Sequence, residues 1–494
     1  MERFPKGMIF SGAVLMGVTV ALGWGGLGII IRGEIGKQMR LINGTDTYTG
    51  WQHVVVPVYL SLYLFNLTNP DDVANGGKAV LKETGPYVYM EKLFKDADED
   101  NVVNETLRYR QIRTYFFQPD MSKGTEDDII VLINEPFLAT AKLLKEMSKD
   151  SSVSQKAEEF LMEKGDKVTM ARPVREWLFG EYSVQHYIDL ANDTMITSVG
   201  DLRLYEEFED GMFSAMDLMR KNSSDGGDGE WLIQTGRNVS EHFGKIVGWN
   251  GYDVLPYYKG DTCNALNGTD GSIYHPFITE MTPMHMFAPE MCRSVYFNKG
   301  ESMEVHNVEA WRYHMEPNTL NGPEKNPDNW CFCPGEGACG PDGVHSIEAC
   351  LDGFPRSVSL PHFMDADESV MKAVDGMMPD KEKHETFFDL HAMSGIVLKS
   401  SKRLQINHEV TPYDNFPSLS KLPKVSLPIF WMDETMDASH RDIAMLSIIK
   451  ALEEGWATVR WGLIGISGVL VFIGVATALT RRSSIKVERV TLIQ

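Results

Sequence analysis

All six cysteines of the 494-residue chain lie between Cys263 and Cys350, and three of them crowd into NPDNWCFCPGEGACG, residues 326–340. Three chemistries compete for that stretch: a metal centre, a disulfide knot, or a phosphate-cradling loop on Gly335, Gly337 and Gly340. Structural zinc sites pair their ligands two to four residues apart and add a second such pair. Cys331 and Cys333 are separated by a single residue, and Cys263 and Cys292 have no close partner, so no metal is expected. A dinucleotide loop must follow a strand and open into a helix. Here the glycines are bracketed by Pro334 and Pro341 and include Cys339, so that reading is set aside. Six cysteines in an oxidising compartment form three disulfides, whose connectivity the spacing leaves open.

Which compartment holds the stretch depends on the ends of the chain. Residues 7–31 are an uncharged apolar run between Lys6 and Arg32, and residues 461–480 are a second between Arg460 and Arg481. Each reaches the roughly 20 residues needed to span a bilayer, and the first is too long for a signal peptide. The tail, 481–494, carries Arg481, Arg482, Lys486 and Arg489 against Glu488, which places it in the cytosol together with residues 1–6. Residues 32–460 then form one large extracellular or lumenal domain. Seven Asn-x-Ser/Thr glycosylation motifs, at Asn43, Asn66, Asn104, Asn192, Asn222, Asn238 and Asn267, all fall inside it.

The chain has a net charge of −22, and its short basic ends leave −26 between them. Nucleic acid needs a basic surface and is excluded as a partner. Motifs for serine hydrolases, zincins and P-loops are missing; His384-Glu385 and His408-Glu409 each lack the second histidine of a zinc helix. No enzymatic activity and no cofactor are expected.

Residues 56–70, 84–92, 107–119, 394–410 and 424–434 alternate apolar and polar residues and are rich in β-branched and aromatic types, so they read as strands of a large antiparallel sheet or barrel. Residues 135–182 read differently. Phe137, Leu138, Ala141, Leu144 and Met147 recur at helical spacing, a second helix is expected near 155–164, and a third begins at Pro173. This segment is nearly neutral within an acidic domain. Lys142, Lys145 and Lys149 share one helix face, with Lys156, Lys164 and Lys167 following. Two readings stay open for them: a solvated face paired with Glu146 and Asp150, or a cationic patch for acidic ligands.

VYLSLYLFNLTNPDDVANG (58–76), KETGPYVYME (82–91), REWLFGEY (175–182), CNALNGTDG (263–271), CRSVYF (292–297), NPDNWCFC (326–333), SLPHFMDAD (359–367), HETFFDLHAMSGIVLKSSKRLQIN (384–407) and LPIFWMDET (427–435) follow in order between the two spans. With these motifs the chain resembles the class B scavenger receptors, over nearly its whole length. That family includes the platelet glycoprotein IV, high-density-lipoprotein receptor and lysosomal integral membrane protein types. The resemblance implies an α+β membrane protein: a large antiparallel β-barrel ectodomain with short helices, an apical helical bundle at 135–182, and two transmembrane anchors. It implies a hydrophobic tunnel carrying fatty acids, cholesterol or phospholipids to the membrane, and docking of lipoproteins or other acidic or oxidised particles at the apical lysines. It also implies the disulfides Cys263–Cys331, Cys292–Cys350 and Cys333–Cys339 within the disulfide region, 263–350. Alternative roles are escort of a lysosomal hydrolase by exposed apolar residues such as Leu143, Phe160 and Leu161, and recognition of microbes or dying cells. The cytosolic ends lack the cysteines that some members palmitoylate. Glu488 with Leu492 and Ile493 fits an acidic dileucine sorting signal, so residence at the plasma membrane, the lysosome or both is expected.

Overall fold

The computed structural model describes residues 3–21, 27–98, 105–148, 150–180, 182–198, 212–213, 227–333 and 339–491. The chain divides into two compact units: Met1–Met39 with His306–Val308 and Ser439–Gln494, and Arg40–Val305 with Glu309–Ala438.

The smaller unit is built from helices Arg3–Ala21, Leu27–Gln38 and His440–Thr491. Among the described residues, His440–Thr480 is the helix long and apolar enough to cross a membrane; Lys6–Ala21 is a shorter apolar stretch. The first and last helices pack together at Gly12. A Cβ there would lie 2.8 Å from Val471 Cγ2 and 3.0 Å from the Ser467 carbonyl oxygen, so only glycine permits the approach.

The larger unit is dominated by strands. They are β1 (Val58–Leu67), β2 (Leu81–Ala97), β3 (Thr106–Phe117), β4 (Ile129–Ile133), β5 (Thr169–Pro173), β6 (Tyr182–Ser183), β7 (Met212–Phe213), β8 (Glu230–Gln234) and β9 (Ile246–Trp249). Then follow β10 (Met284–Ala288), β11 (Arg293–Val305), β12 (Val308–Met315), β13 (His345–Ser346), β14 (Arg356–Ser359), β15 (Phe387–His391), β16 (Ile396–Val410) and β17 (Val425–Asp437). The main sheet runs β10-β11-β12-β15-β16-β17-β1-β2-β3-β8-β9, with β13 and β14 branching from β16. Its registered pairs are antiparallel, for example Leu62 opposite Met432 and Glu91 opposite Tyr115. The two edges nearly meet. Ile246 N–H of β9 donates to Gly268 O and Phe287 N–H of β10 donates to Thr269 O, each at 2.9 Å, so one short segment bridges both edge strands.

All five segments read as strands from their alternation are strands, and the result is a large, nearly closed antiparallel sheet. The segment expected as a helical bundle is more mixed. Helix Glu135–Met147 starts where Asn134 accepts from Phe137 N–H, and helix Ser151–Glu163 starts where Asp150 accepts from Ser152 N–H, both ordinary N-caps. The third helix covers only Val174–Phe179, because Gly180 turns left-handed (φ +79°) and ends it. Between the second and third helices lies β5, paired with β4. That strand was missed because Thr169–Pro173 is short and carries Arg172 and Pro173.

These helices and the sheet share one apolar core. Phe137, Leu138, Ala141, Leu144, Leu161, Trp177 and Leu178 are buried in the same cluster as Leu62, Leu64, Tyr87, Tyr89, Phe430 and Met432. The Tyr89 and Phe179 rings meet edge-on at 5.4 Å, and Trp177 Nε1 donates to Ile130 O at 3.0 Å. Burying each such side chain contributes about 1.5–3 kcal/mol. The polar joint beside this core is Glu135. It is 1% exposed, receives Arg356 through two hydrogen bonds (2.7 and 3.0 Å), and lies 3.2 Å from His408 Nδ1.

Candidate functional site

Residues directly opposite across paired strands share a face, so the registers define one wall of the barrel. Leu60, Leu62 and Leu64 of β1 face the same way as Tyr87, Tyr89, Glu91 and Lys95 of β2, Gln111 and Arg113 of β3, Lys402, Leu404 and Ile406 of β16, and Phe430, Met432 and Glu434 of β17. Arg113 Nη1 approaches Glu434 Oε1 to 3.6 Å although β1 and β2 separate their strands. Neighbouring strands lie about 4.8 Å apart, so two side chains bridge that span only across a concave face. This is the inner wall.

The wall has two zones. Leu62, Leu64, Tyr87, Tyr89, Leu404, Ile406, Phe430 and Met432 make an apolar stretch beside the helical segment. Beyond it runs a charged belt. Arg113 contacts Glu91 (2.9 Å), Asp228 (2.7 Å) and Gln111 (2.8 Å), and Lys402 Nζ lies 2.9 Å from both Glu290 oxygens. Lys95, fully buried, donates to Asp270 (2.6 Å) and Ser272 (2.7 Å), with its ammonium 5.1 Å from the Trp51 ring and 5.4 Å from that of Tyr109. Burial opposes ionisation of Asp270, but the Lys95 ammonium and the Ser272 hydrogen bonds hold its carboxyl down to about 2. Burial likewise lowers Lys402, yet Glu290 and Glu434 raise it overall. Burial lowers Lys95 despite its pairing with Asp270. The belt places five carboxyl groups (Glu91, Asp228, Asp270, Glu290, Glu434) against three basic ones (Lys95, Arg113, Lys402).

Sequence reasoning did not single out this belt. Its signal was present as charges at every second or fourth position inside strand-forming runs, Glu91 and Lys95 in one and Arg113 in another. A solvated outer face gives the same alternation, and only the register distinguishes the two.

The lysines of the helical segment separate into three kinds. Lys142 is half-buried and paired: its Nζ donates to Glu348 (2.5 Å) and to Gly353 O (3.3 Å) and lies 3.2 Å from Glu146. Burial lowers its affinity for a proton, but these carboxylates more than compensate and raise it. Lys145, Lys156, Lys164 and Lys167 are exposed and make no ion pair among the described residues. Lys149 lies outside the described residues. Lys142 and Lys145 line a pocket of about 340 Å³ together with Glu146, Glu348, Pro355, Glu409, Thr411 and Tyr413. Carboxylates outnumber ammonium groups there, so the pocket is not a cationic site, and the exposed lysines share their segment with the exposed Glu146, Asp150, Glu159 and Glu163. Leu161 is buried, and Leu143 and Phe160 are half-buried against the core, so they form no exposed apolar stripe.

The disulfides are Cys263–Cys331, Cys292–Cys350 and Cys333–Cys339, the pairs that the resemblance implies. Gly335 and Gly337 lie outside the described residues. Of the glycosylation motifs, Asn43, Asn192 and Asn238 are exposed, and Asn66 and Asn267 are half-buried. Asn66 Oδ1 also accepts from Val131 N–H at 2.8 Å. Asn104 and Asn222 lie outside the described residues, as do Leu492 and Ile493, while Glu488 falls in the last turns of helix His440–Thr491. No cluster of metal-binding side chains occurs among the described residues.

The larger unit thus combines a nearly closed antiparallel sheet, a helical segment packed on its core and three disulfides. The sequence model of the CD36 family matches residues 10–478, and the chain belongs to that family, the family of the class B scavenger receptors. Among its relatives, lysosome membrane protein 2 of Rattus norvegicus is 32% identical over 403 residues, covering 81% of this chain and 79% of the relative. Lysosome membrane protein 2 of Homo sapiens is 32% identical over 420 residues, covering 85% and 82%. Scavenger receptor class B member 1 of Mus musculus is 29% identical over 473 residues, covering 92% and 88%.

Proposed function

We propose that the chain is a two-span, glycosylated receptor that docks lipid-bearing acidic particles at its exposed lysines and passes neutral apolar molecules along the barrel interior to the membrane. The division of the inner wall carries this reading. The apolar zone, adjoining the lysine-bearing helices, is closed by core packing in this structure, and passage requires it to open for a molecule that gains by leaving water. The belt beyond it holds five carboxyl groups against three basic ones, and that balance repels a free carboxylate while tolerating a sterol or a neutral ester. Of the expected cargoes, cholesterol and its esters therefore suit the interior better than ionised fatty acids. The close contact of the first and last helices at Gly12 is typical of membrane helices, where small residues let backbones approach, and it supports reading the first apolar run as a second span.

A second reading, a sorting receptor for a lysosomal hydrolase, draws support from the Glu488, Leu492, Ile493 motif and from the lysosomal relatives. It draws none from Leu143, Phe160 and Leu161, which are at least half-buried.

The test is transfer from donor vesicles to the full chain in nanodiscs, using fluorescent cholesteryl ester and fluorescent fatty acid in parallel. Ester transfer at least several-fold above empty nanodiscs, with fatty acid near background, is expected at neutral pH. Equal transfer of both, or of neither, contradicts the selectivity assigned to the belt.

A further inference from the structure

On the face of the sheet opposite the inner wall, two histidines stack under an exposed segment. Tyr63 and Trp431 lie flat on one another there (3.9 Å between centroids), and His362 and His384 stack at 4.6 Å beside Trp431. His362 Nε2 lies 2.6 Å from Glu83 Oε2, which also accepts from Trp431 Nε1 at 2.8 Å. Each histidine uses its other ring nitrogen in the same way. His362 Nδ1 accepts from Met378 N–H at 3.1 Å, and His384 Nδ1 accepts from Asp380 N–H at 2.9 Å.

Those two bonds have a special place in the segment. Upstream, Asp375 is tied into β2 by Leu81 N–H donating to its carbonyl and by its own N–H donating to Ala79 O, both 2.9 Å. Downstream, Arg403 of β16 donates to Glu382 O (3.0 Å) and Glu385 O (2.9 Å). Between these anchors, Gly376, Met378 and Pro379 are exposed and Met377 packs against the core. Asp380 also caps the helix Lys381–His384, accepting from Glu382 and Lys383 N–H at its side chain and from Lys383 and His384 N–H at its carbonyl, so Met378 N–H to His362 is the hydrogen bond that ties 376–379 to another element.

We propose that residues 376–381 are an acid-released flap, latched by neutral His362 and His384 and freed when either ring takes a proton. A neutral imidazole has one acceptor nitrogen, and here both acceptors are spent on backbone N–H groups. A proton arriving at Nδ1 turns that acceptor into a donor facing a donor, and the bond is lost. A second proton would stack two cations 4.6 Å apart.

The charged groups around the pair fix the order of events. Glu83 of β2 faces both rings and favours a proton on His384; Asp380, within the flap, also attracts it but is itself paired with Lys383 at 3.1 Å. Arg403 of β16 opposes it, and Asp433 of β17 partly neutralises Arg403 at 3.0 Å. Burial, then His362, pushes His384 from 6.5 down to about 4. A group depressed in the latched state stabilises the latch fully above about pH 6.5, and that stabilisation is lost as the pH falls towards 4. At pH 5.0 the released state is therefore favoured relative to pH 7.4.

Hydrogen exchange read by mass spectrometry on the full chain in nanodiscs tests this, with rates corrected for the intrinsic effect of pH. Protection of a peptide covering 376–385 is expected to fall from pH 7.4 to 5.0, with β16 and β17 unchanged. The double variant His362→Gln, His384→Gln keeps an acceptor at each site that does not titrate, and is expected to lose the pH dependence. Unchanged wild-type protection at pH 5.0 overturns the proposal without reference to any variant. So does a loss shared by β16 and β17, or a pH dependence that survives in the double variant.

Discussion

Glu135→Gln separates the account of the helical segment from a generic view of surface charge. The carboxylate is 1% exposed and holds Arg356 in a two-pronged pair beside His408. Burial pushes its proton affinity up, yet Arg356 and His408 overcome that and bring the carboxyl from 4.5 down to about 2. A shift of that size corresponds to about 3 kcal/mol of folding free energy, at roughly 1.4 kcal/mol per pH unit. Because the folded value is the depressed one, this stabilisation is present above about pH 4.5 and disappears as the pH falls towards 2. The neutral amide keeps the shape but leaves the Arg356 guanidinium without its charge partner, and breaking a buried pair from one side costs about 3–5 kcal/mol. Thermal unfolding of the full chain at pH 7, followed by intrinsic fluorescence, is expected to shift down by several degrees. Replacing both partners, Glu135→Leu with Arg356→Met, is expected to recover much of the loss, because an apolar pair leaves no unpaired charge. A Glu135→Gln midpoint within a degree of wild type, or a double variant worse than the single one, would refute the reasoning.

Lys145, Lys156, Lys164 and Lys167 changed together to Glu are expected to weaken binding to anionic vesicles at least tenfold, more at low salt than at high, in a flotation assay. Lys142→Ala is expected instead to lower the unfolding midpoint by a degree or two with little effect on vesicle binding, since its ammonium is already neutralised by Glu348 and Glu146. Gly12→Leu forces the first and last helices apart at Val471 and is expected to abolish disulfide crosslinking between cysteines introduced on their facing sides. Changing Leu492 and Ile493 to Ala is expected to move the chain from lysosomes to the cell surface by microscopy; unchanged residence removes the sorting role from the tail.

The sheet was legible because its long strands carry the period of two. VYLSLYLFNL carries that alternation and KVSLPIFWMDE is a run rich in β-branched and aromatic residues, and they are the neighbours β1 and β17 at its centre. β8, β9 and β10 are only four or five residues long, and too few turns of the pattern fit in them to register. The helix 135–147 was readable because the Phe137, Leu138, Ala141, Leu144 stripe acts locally. Long-range polar pairing was not. Glu135 meets Arg356 and His408 more than two hundred positions away, and Lys142, besides its local partner Glu146, meets Glu348 across a similar gap. His362 and His384 sit in motifs that fixed the family, but their shared use of Nδ1 depends on a fold that brings two loops together.

The central claim is that neutral apolar molecules travel through an interior that excludes ionised fatty acids. Mass spectrometry of lipids that stay with the full chain after detergent exchange and size-exclusion tests it most directly, with a Leu62→Arg, Leu404→Arg variant of the apolar zone as control. Sterols or neutral esters retained by the wild-type chain and lost from the variant are the expected result. Retention of free fatty acids alone, or the same lipids on both chains, would contradict it.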